Sequence, residues 1–69
     1  MNLSPKYLIK VLEQNGFIYK RANGSHKLYF NPDTNKTVIV PVHGGRDMKK
    51  GTFLDILKQA GIDKKNAGL

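Results

Sequence analysis

Three short runs of strand-forming residues, divided by brief turns, constrain this chain more than any other feature. Phe17-Ile18-Tyr19-Lys20-Arg21, Ser25 to Phe30, and Thr37-Val38-Ile39-Val40 are rich in β-branched and aromatic residues. Ala22-Asn23-Gly24 separates the first pair, and Asn-Gly tolerates positive φ. Asn31-Pro32-Asp33-Thr34-Asn35 separates the second pair and carries turn-forming side chains. A parallel crossover needs about a dozen connecting residues or more, so these strands must run antiparallel as a meander closed by Pro41.

A helix is expected on either side. Ser4-Pro5 reads as an N-cap followed by a first-turn proline. Leu8, Val11 and Leu12 then form one apolar stripe, and Gly16 supplies a left-handed stop, so residues 5–15 are expected to be helical. After the loop from Val42 to Gly51, Thr52 and Asp55 fit the S/T-x-x-D/E pattern of a helix start, with Asp55 in the capping role. Phe53, Ile56, Leu57 and Ala60 share one face, and Gly61 ends the segment. The economical way to bury both stripes is to lay both helices on one face of the sheet. The expected fold is therefore α+β, in the order αβββα, with the other sheet face open. This is the order of double-stranded-RNA-binding domains, a likeness that concerns fold alone. Residues 1–62 read as one domain, and 63–69 as a polar, frayed tail.

At 69 residues the chain has room for one small core and little room for a deep pocket. Function on an open surface is the natural expectation. No cysteine is present, which removes disulfides, thiolate nucleophiles and cysteine metal sites. No apolar run approaches the ~20 residues that span a membrane, and the N-terminus lacks a secretory pattern, so the expected location is the cytosol. Twelve Lys and Arg oppose five Asp and Glu, a formal charge of +7. That charge favours a polyanion, nucleic acid first, with an anionic membrane surface or an acidic protein behind it.

The catalytic inventory is two histidines, one glutamate and four aspartates. No two acids stand at a spacing that suggests a paired-carboxylate site. A metal site on His26, His43 and an aspartate matches no recognised ligand spacing, and no cofactor is expected. His26 follows a glycine-containing turn and has Lys20, Arg21 and Lys27 nearby in sequence. Imidazole exchanges protons near neutral pH. RNA carries its own nucleophile, the ribose 2′-OH, so a histidine beside basic residues is a sufficient kit for cleaving it. A lone histidine at a strand start is more often a surface or packing residue. Strand alternation also puts His26 on the face of Leu28 and Phe30. If those two face the helices, His26 points inward, unless it sits at the rim or a bulge at Gly24-Ser25 turns it.

His43, ahead of Gly44-Gly45, reads either as an exposed loop residue or as a second acid–base or phosphate contact. Arg46, Lys49 and Lys50 precede the second helix, whose N-terminus favours anions. They read equally as a phosphate site or as a solvated loop. Tyr19 and Tyr29 are candidates for stacking on bases, ranked behind packing in the sheet.

At this point the residues resemble a known family. Gly24-Ser25-His26-Lys27-Leu28-Tyr29 looks like the G-S-H-x-x-(Y/H) signature of HicA-type toxins. Val40-Pro41-Val42-His43-Gly44 resembles their V-P-x-H-G segment. The stretch from Gly51 to Ile62 is similar to their terminal G-T-L-x-x-I-L-K-Q-A-G-I, and Leu8 to Phe17 to their opening helix. The resemblance covers residues 3–62. It implies a double-stranded-RNA-binding-like fold and an mRNA endoribonuclease, the toxin of a toxin–antitoxin pair, that halts translation. It implies a catalytic histidine at His26, a less settled role for His43, and restraint by a cognate HicB-type antitoxin covering the site. The RNA-contacting set expected around His26 is Lys20, Arg21, Ser25, Lys27, Tyr29, His43, Arg46, Lys49 and Lys50. The chain departs from the family at Lys50-Gly51, where Pro-Gly is common. The competing readings are a non-catalytic RNA-binding module and a small protein whose basic surface docks an acidic partner.

Overall fold

Ser4 starts the first helix as its spacing predicts. In the computed structural model, which describes residues 2–68, the Ser4 hydroxyl accepts from the Tyr7 amide at 3.1 Å and Pro5 occupies the first turn. This helix, α1 (Pro5–Gln14), ends where Gly16 takes a φ of 91°. Strands β1 (Ile18–Asn23), β2 (His26–Asn31) and β3 (Lys36–Pro41) form one antiparallel sheet in the order β1-β2-β3. Helix α2 (Lys50–Ala60) follows and stops at Gly61 in the left-handed region. The α+β, αβββα architecture expected from the sequence is the one observed.

The core lies between the helices and one sheet face. Leu8, Val11 and Leu12 from α1 and Phe53, Ile56, Leu57 and Ala60 from α2 close over Tyr29, Val38 and Val40. Tyr7 stacks on Phe53 with centroids 6.5 Å apart. Asn31 is the buried polar residue of this region. Its amide nitrogen donates to the Asn15 carbonyl at 3.0 Å, and its oxygen accepts from the Asp33 and Thr34 amides. One side chain thus ties the end of α1 to the β2–β3 turn, and its hydrogen-bonding needs are met inside the protein.

Four expectations are corrected. The Asn23-containing turn is tighter than expected: Asn23 pairs with His26, leaving Gly24-Ser25 as a two-residue connection with Gly24 at φ 61°. Glycine at the first central position is the type II′ pattern, which suits the twist of a hairpin. The irregularity of the sheet lies between Tyr19 and Arg21, not at Gly24-Ser25. The second helix begins at Lys50, so Thr52 and Asp55 lie inside it and Asp55 caps nothing; Lys49 holds the cap position in an extended conformation, without a side-chain bond. The departure at Lys50 therefore leaves a helix that starts without a proline. Finally, the tail is not frayed over 63–68. Asp63 accepts from the Lys65 amide, Lys64–Ala67 forms a 3₁₀ turn, Ala67 is buried, and the Tyr7 hydroxyl donates to the Ala67 carbonyl at 2.8 Å. Leu69 lies outside the described residues.

Candidate functional site

Strand parity decides where His26 points. Cross-strand partners share a face, and Tyr29 pairs with Val38, which is buried under the helices. The neighbouring positions point the other way. His26, Leu28 and Phe30 of β2 therefore face outward with their partners Pro41, Ile39 and Thr37 of β3. His26 is exposed, and Ile39 is 51% exposed. The condition for an inward His26 is thus not met: Tyr29, not the Leu28–Phe30 pair, is the residue β2 contributes to the hydrophobic core.

The bulge in β1 shapes the same face. Lys20 is the extra residue, so Tyr19 pairs with Tyr29 while Arg21 pairs with Leu28. Without it, Lys20 would take the place opposite Leu28 and Arg21 would turn to the helix side. With it, Lys20 and Arg21 both border the open surface over Leu28 and Phe30. A cleft lined by Arg21, Ala22, Asn23, His26, Leu28 and Ile39 opens directly beside the histidine. A second groove runs from His26 across Ile39 and Pro41 to Thr52, Asp55 and Gln59 of α2. That flank of α2 repeats at i, i+3 and i+7 and so forms one wall. A third cleft holds His43, Arg46, Asp47 and Lys49 with Pro41 and Thr52. The second and third clefts share Pro41 and Thr52, which makes them neighbours along one edge.

The expected RNA-contacting residues divide on this geometry. Lys20, Arg21, His43, Arg46 and Lys49 border clefts on or next to the open face. Ser25 sits in the hairpin turn, half-buried, and its carbonyl accepts from the Val42 amide at 2.7 Å. Lys27 pairs with the buried Val40, so it leans to the helix side of the sheet. Lys50 is exposed on the first turn of α2 but lines none of these clefts. Tyr29 is corrected outright: it is 4% exposed, with its ring edge-on to Tyr19 at 5.7 Å, and has no face free for a base. Asn23, Ile39, Asp55 and Gln59 also line the clefts beside His26, outside the set expected from the sequence. Register alone would have found Ile39, whereas Asp55 and Gln59 arrive only through the docking of α2.

Burial, and then the charge of Glu13 and the neighbouring Tyr19, raise the Tyr29 phenol above its ordinary value of 10.0. The folded state therefore holds this proton more tightly than the unfolded chain. Up to about pH 10 both states keep it, and stability is unaffected; above that, the unfolded chain ionises first and stability falls. Denaturant unfolding from pH 8 to 11 should show an alkaline loss that Tyr29→Phe reduces. Equal alkaline slopes in the two proteins would contradict this assignment.

Among the described residues no helix is long and apolar enough to cross a membrane. The family model described as the HicA toxin of bacterial toxin–antitoxin systems matches residues 5–62, from the start of α1 to just past the end of α2. No curated protein matches the chain.

Proposed function

The chain belongs to the HicA toxin family, the toxin side of bacterial toxin–antitoxin pairs, which implies a cognate antitoxin as its partner, and from that premise we propose that it is an endoribonuclease acting on mRNA through His26. The observation that carries this reading is the outward His26, set in a cleft with Arg21 and Asn23 on a sheet face that the helices leave uncovered. Imidazole moves the protons, guanidinium and ammonium groups balance the phosphate charge, and the substrate supplies its own nucleophile.

The reaction has a definite stoichiometry. The proton leaves the 2′-OH, O2′ attacks phosphorus, and the bond from phosphorus to O5′ breaks with a proton delivered to O5′. The products are a 2′,3′-cyclic phosphate and a 5′-hydroxyl. Lys20 and Arg21 contact phosphates on one side of His26, and Arg46 and Lys49 on the other. Leu28, Phe30 and Ile39 offer an apolar floor on which unpaired bases lie, the way single-stranded RNA is commonly held. Occlusion of this same face by a HicB-type antitoxin would restrain the activity.

Purified protein incubated with RNA and EDTA is the test. Cleavage should persist, and mass spectrometry of the fragments should find cyclic phosphate and 5′-hydroxyl ends. Intact RNA, or 5′-phosphate ends, would defeat the proposal. Binding should also weaken steeply with salt, since each neutralised phosphate releases counterions. Lys20→Ala with Arg21→Ala should reduce the slope of log K against log salt by about one for each phosphate that is no longer neutralised. A flat salt response would instead favour a surface that docks a protein.

A further inference from the structure

The two histidines of the chain, distant in sequence, are brought together. His26 opens β2 and pairs with Pro41, the last residue of β3. The Val42 amide donates to the Ser25 carbonyl at 2.7 Å, which carries the pairing one step beyond the strand ends. Each residue of that hydrogen bond directly precedes a histidine. His43 is thus diagonal to His26 on the same side of the ladder, the arrangement in which cross-strand side chains meet. The rings lie 6.3 Å apart, centroid to centroid, with their planes at 82°. Both are exposed. The loop holding His43 is pinned on its far side as well, since the Arg46 amide donates to the His43 carbonyl at 2.9 Å.

We infer that His43 is a second catalytic residue, forming with His26 an acid–base pair that works on the two ends of one phosphodiester linkage. This rests on the ribonuclease reading above. Transfer through phosphorus is in-line, so the attacking and leaving oxygens stand on opposite sides. One group cannot readily serve both at once. Two imidazoles 6.3 Å apart, with nearly perpendicular planes, stand close enough for one phosphodiester linkage to lie within reach of both. One takes the 2′-OH proton as O2′ bonds to phosphorus. The other gives its proton to O5′ as that oxygen leaves with the bonding pair. The enzyme ends with the two protonation states exchanged, and solvent resets them. No other group in the clefts matches histidine for proton exchange near neutral pH. Tyr29 is buried, and the Tyr7 hydroxyl is committed to Ala67.

The experiment compares His43→Ala, His43→Gln and His26→Ala on two substrates. The first is an ordinary RNA. The second is the same RNA with a single 5′-bridging sulfur, whose thiolate leaves without being protonated. Thermal unfolding of each variant should match wild type, since both side chains are exposed. On ordinary RNA, both His43 variants should lose on the order of 10²-fold or more in kcat, with little change in KM. On the sulfur substrate, the variant lacking the acid should regain near-wild-type rates and the variant lacking the base should not. Recovery by one of the two positions supports the pair and identifies the acid. A His43→Ala effect confined to KM makes His43 a phosphate contact and overturns the inference. So does activity within a few-fold of wild type, or recovery on sulfur by both positions or by neither. Wild type that leaves ordinary RNA intact would defeat the ribonuclease reading itself, a result distinct from any of these.

Discussion

Replacing His26 with alanine is expected to lower RNA cleavage by about 10²- to 10⁴-fold, the usual contribution of a positioned acid–base group. Fold and RNA affinity should barely change. The side chain is exposed and forms none of the protein's side-chain hydrogen bonds among the described residues, so its loss leaves no cavity and no orphaned partner. The cationic groups proposed to hold phosphates, Lys20 and Arg21 on one side and Arg46 and Lys49 on the other, remain in place. The separation of binding from cleavage is therefore the informative result. Expression of wild type should arrest growth and expression of His26→Ala should not. Undiminished cleavage by the variant would remove His26 as the catalyst. Equal RNA binding by both proteins, with no cleavage by either, would make the chain a binding module.

Phe53→Ala should have the largest effect on stability. Phe53 has no exposed surface and stacks on Tyr7, which itself holds the C-terminal turn through Ala67. Truncating a fully buried phenylalanine costs about 3–5 kcal/mol from lost transfer energy and the cavity left behind. A core in a chain of this length rarely supplies more than about 3–5 kcal/mol in total. The variant should therefore be largely unfolded near room temperature, or melt at least ~12 °C lower if wild type is unusually stable. Denaturant titration followed by circular dichroism would measure this. A loss below about 1 kcal/mol would mean that the core relaxes around the gap. Because α2 also forms one wall of the groove beside His26, RNA cleavage should fall together with the fold.

These two substitutions separate what the family signature encodes. In Gly24-Ser25-His26-Lys27-Leu28-Tyr29, the residues alternate between inward and outward roles. Gly24 makes a positive-φ turn, Tyr29 fills the core, and His26 and Leu28 build the open face. Ser25 joins the turn to Val42 through its backbone. A signature position can thus be held by packing as firmly as by chemistry, and Tyr29 is such a position.

The elements themselves were legible along the chain. Ser4-Pro5 and Gly16 bound α1, the helical spacing of Phe53, Ile56, Leu57 and Ala60 buries as one stripe, and the brief turns impose antiparallel order. These signals are local: caps, turns and periodicity act over a few residues, so the sequence carries them directly. The start of α2 shows the limit, because Thr52 and Asp55 resemble a cap while the helix begins at Lys50.

The side of the sheet on which His26 emerges was different. Period-two alternation fixes which residues travel together but not which set faces the helices. Leu28 and Phe30 are as apolar as their neighbours in the core, so β2 alone is ambiguous. The choice belongs to all three strands at once: Val38 and Val40 must meet α1 and α2, pairing carries Tyr29 inward with Val38, and His26 is left outside. The bulge at Lys20 and the approach of His43 to His26 likewise depend on register between strands, not on any one strand alone. Local signals along the chain give the main elements, their order and the residue to watch. That His26 is reachable and has a second histidine beside it follows from the assembled layers, because burial is a property of those layers and not of any one strand.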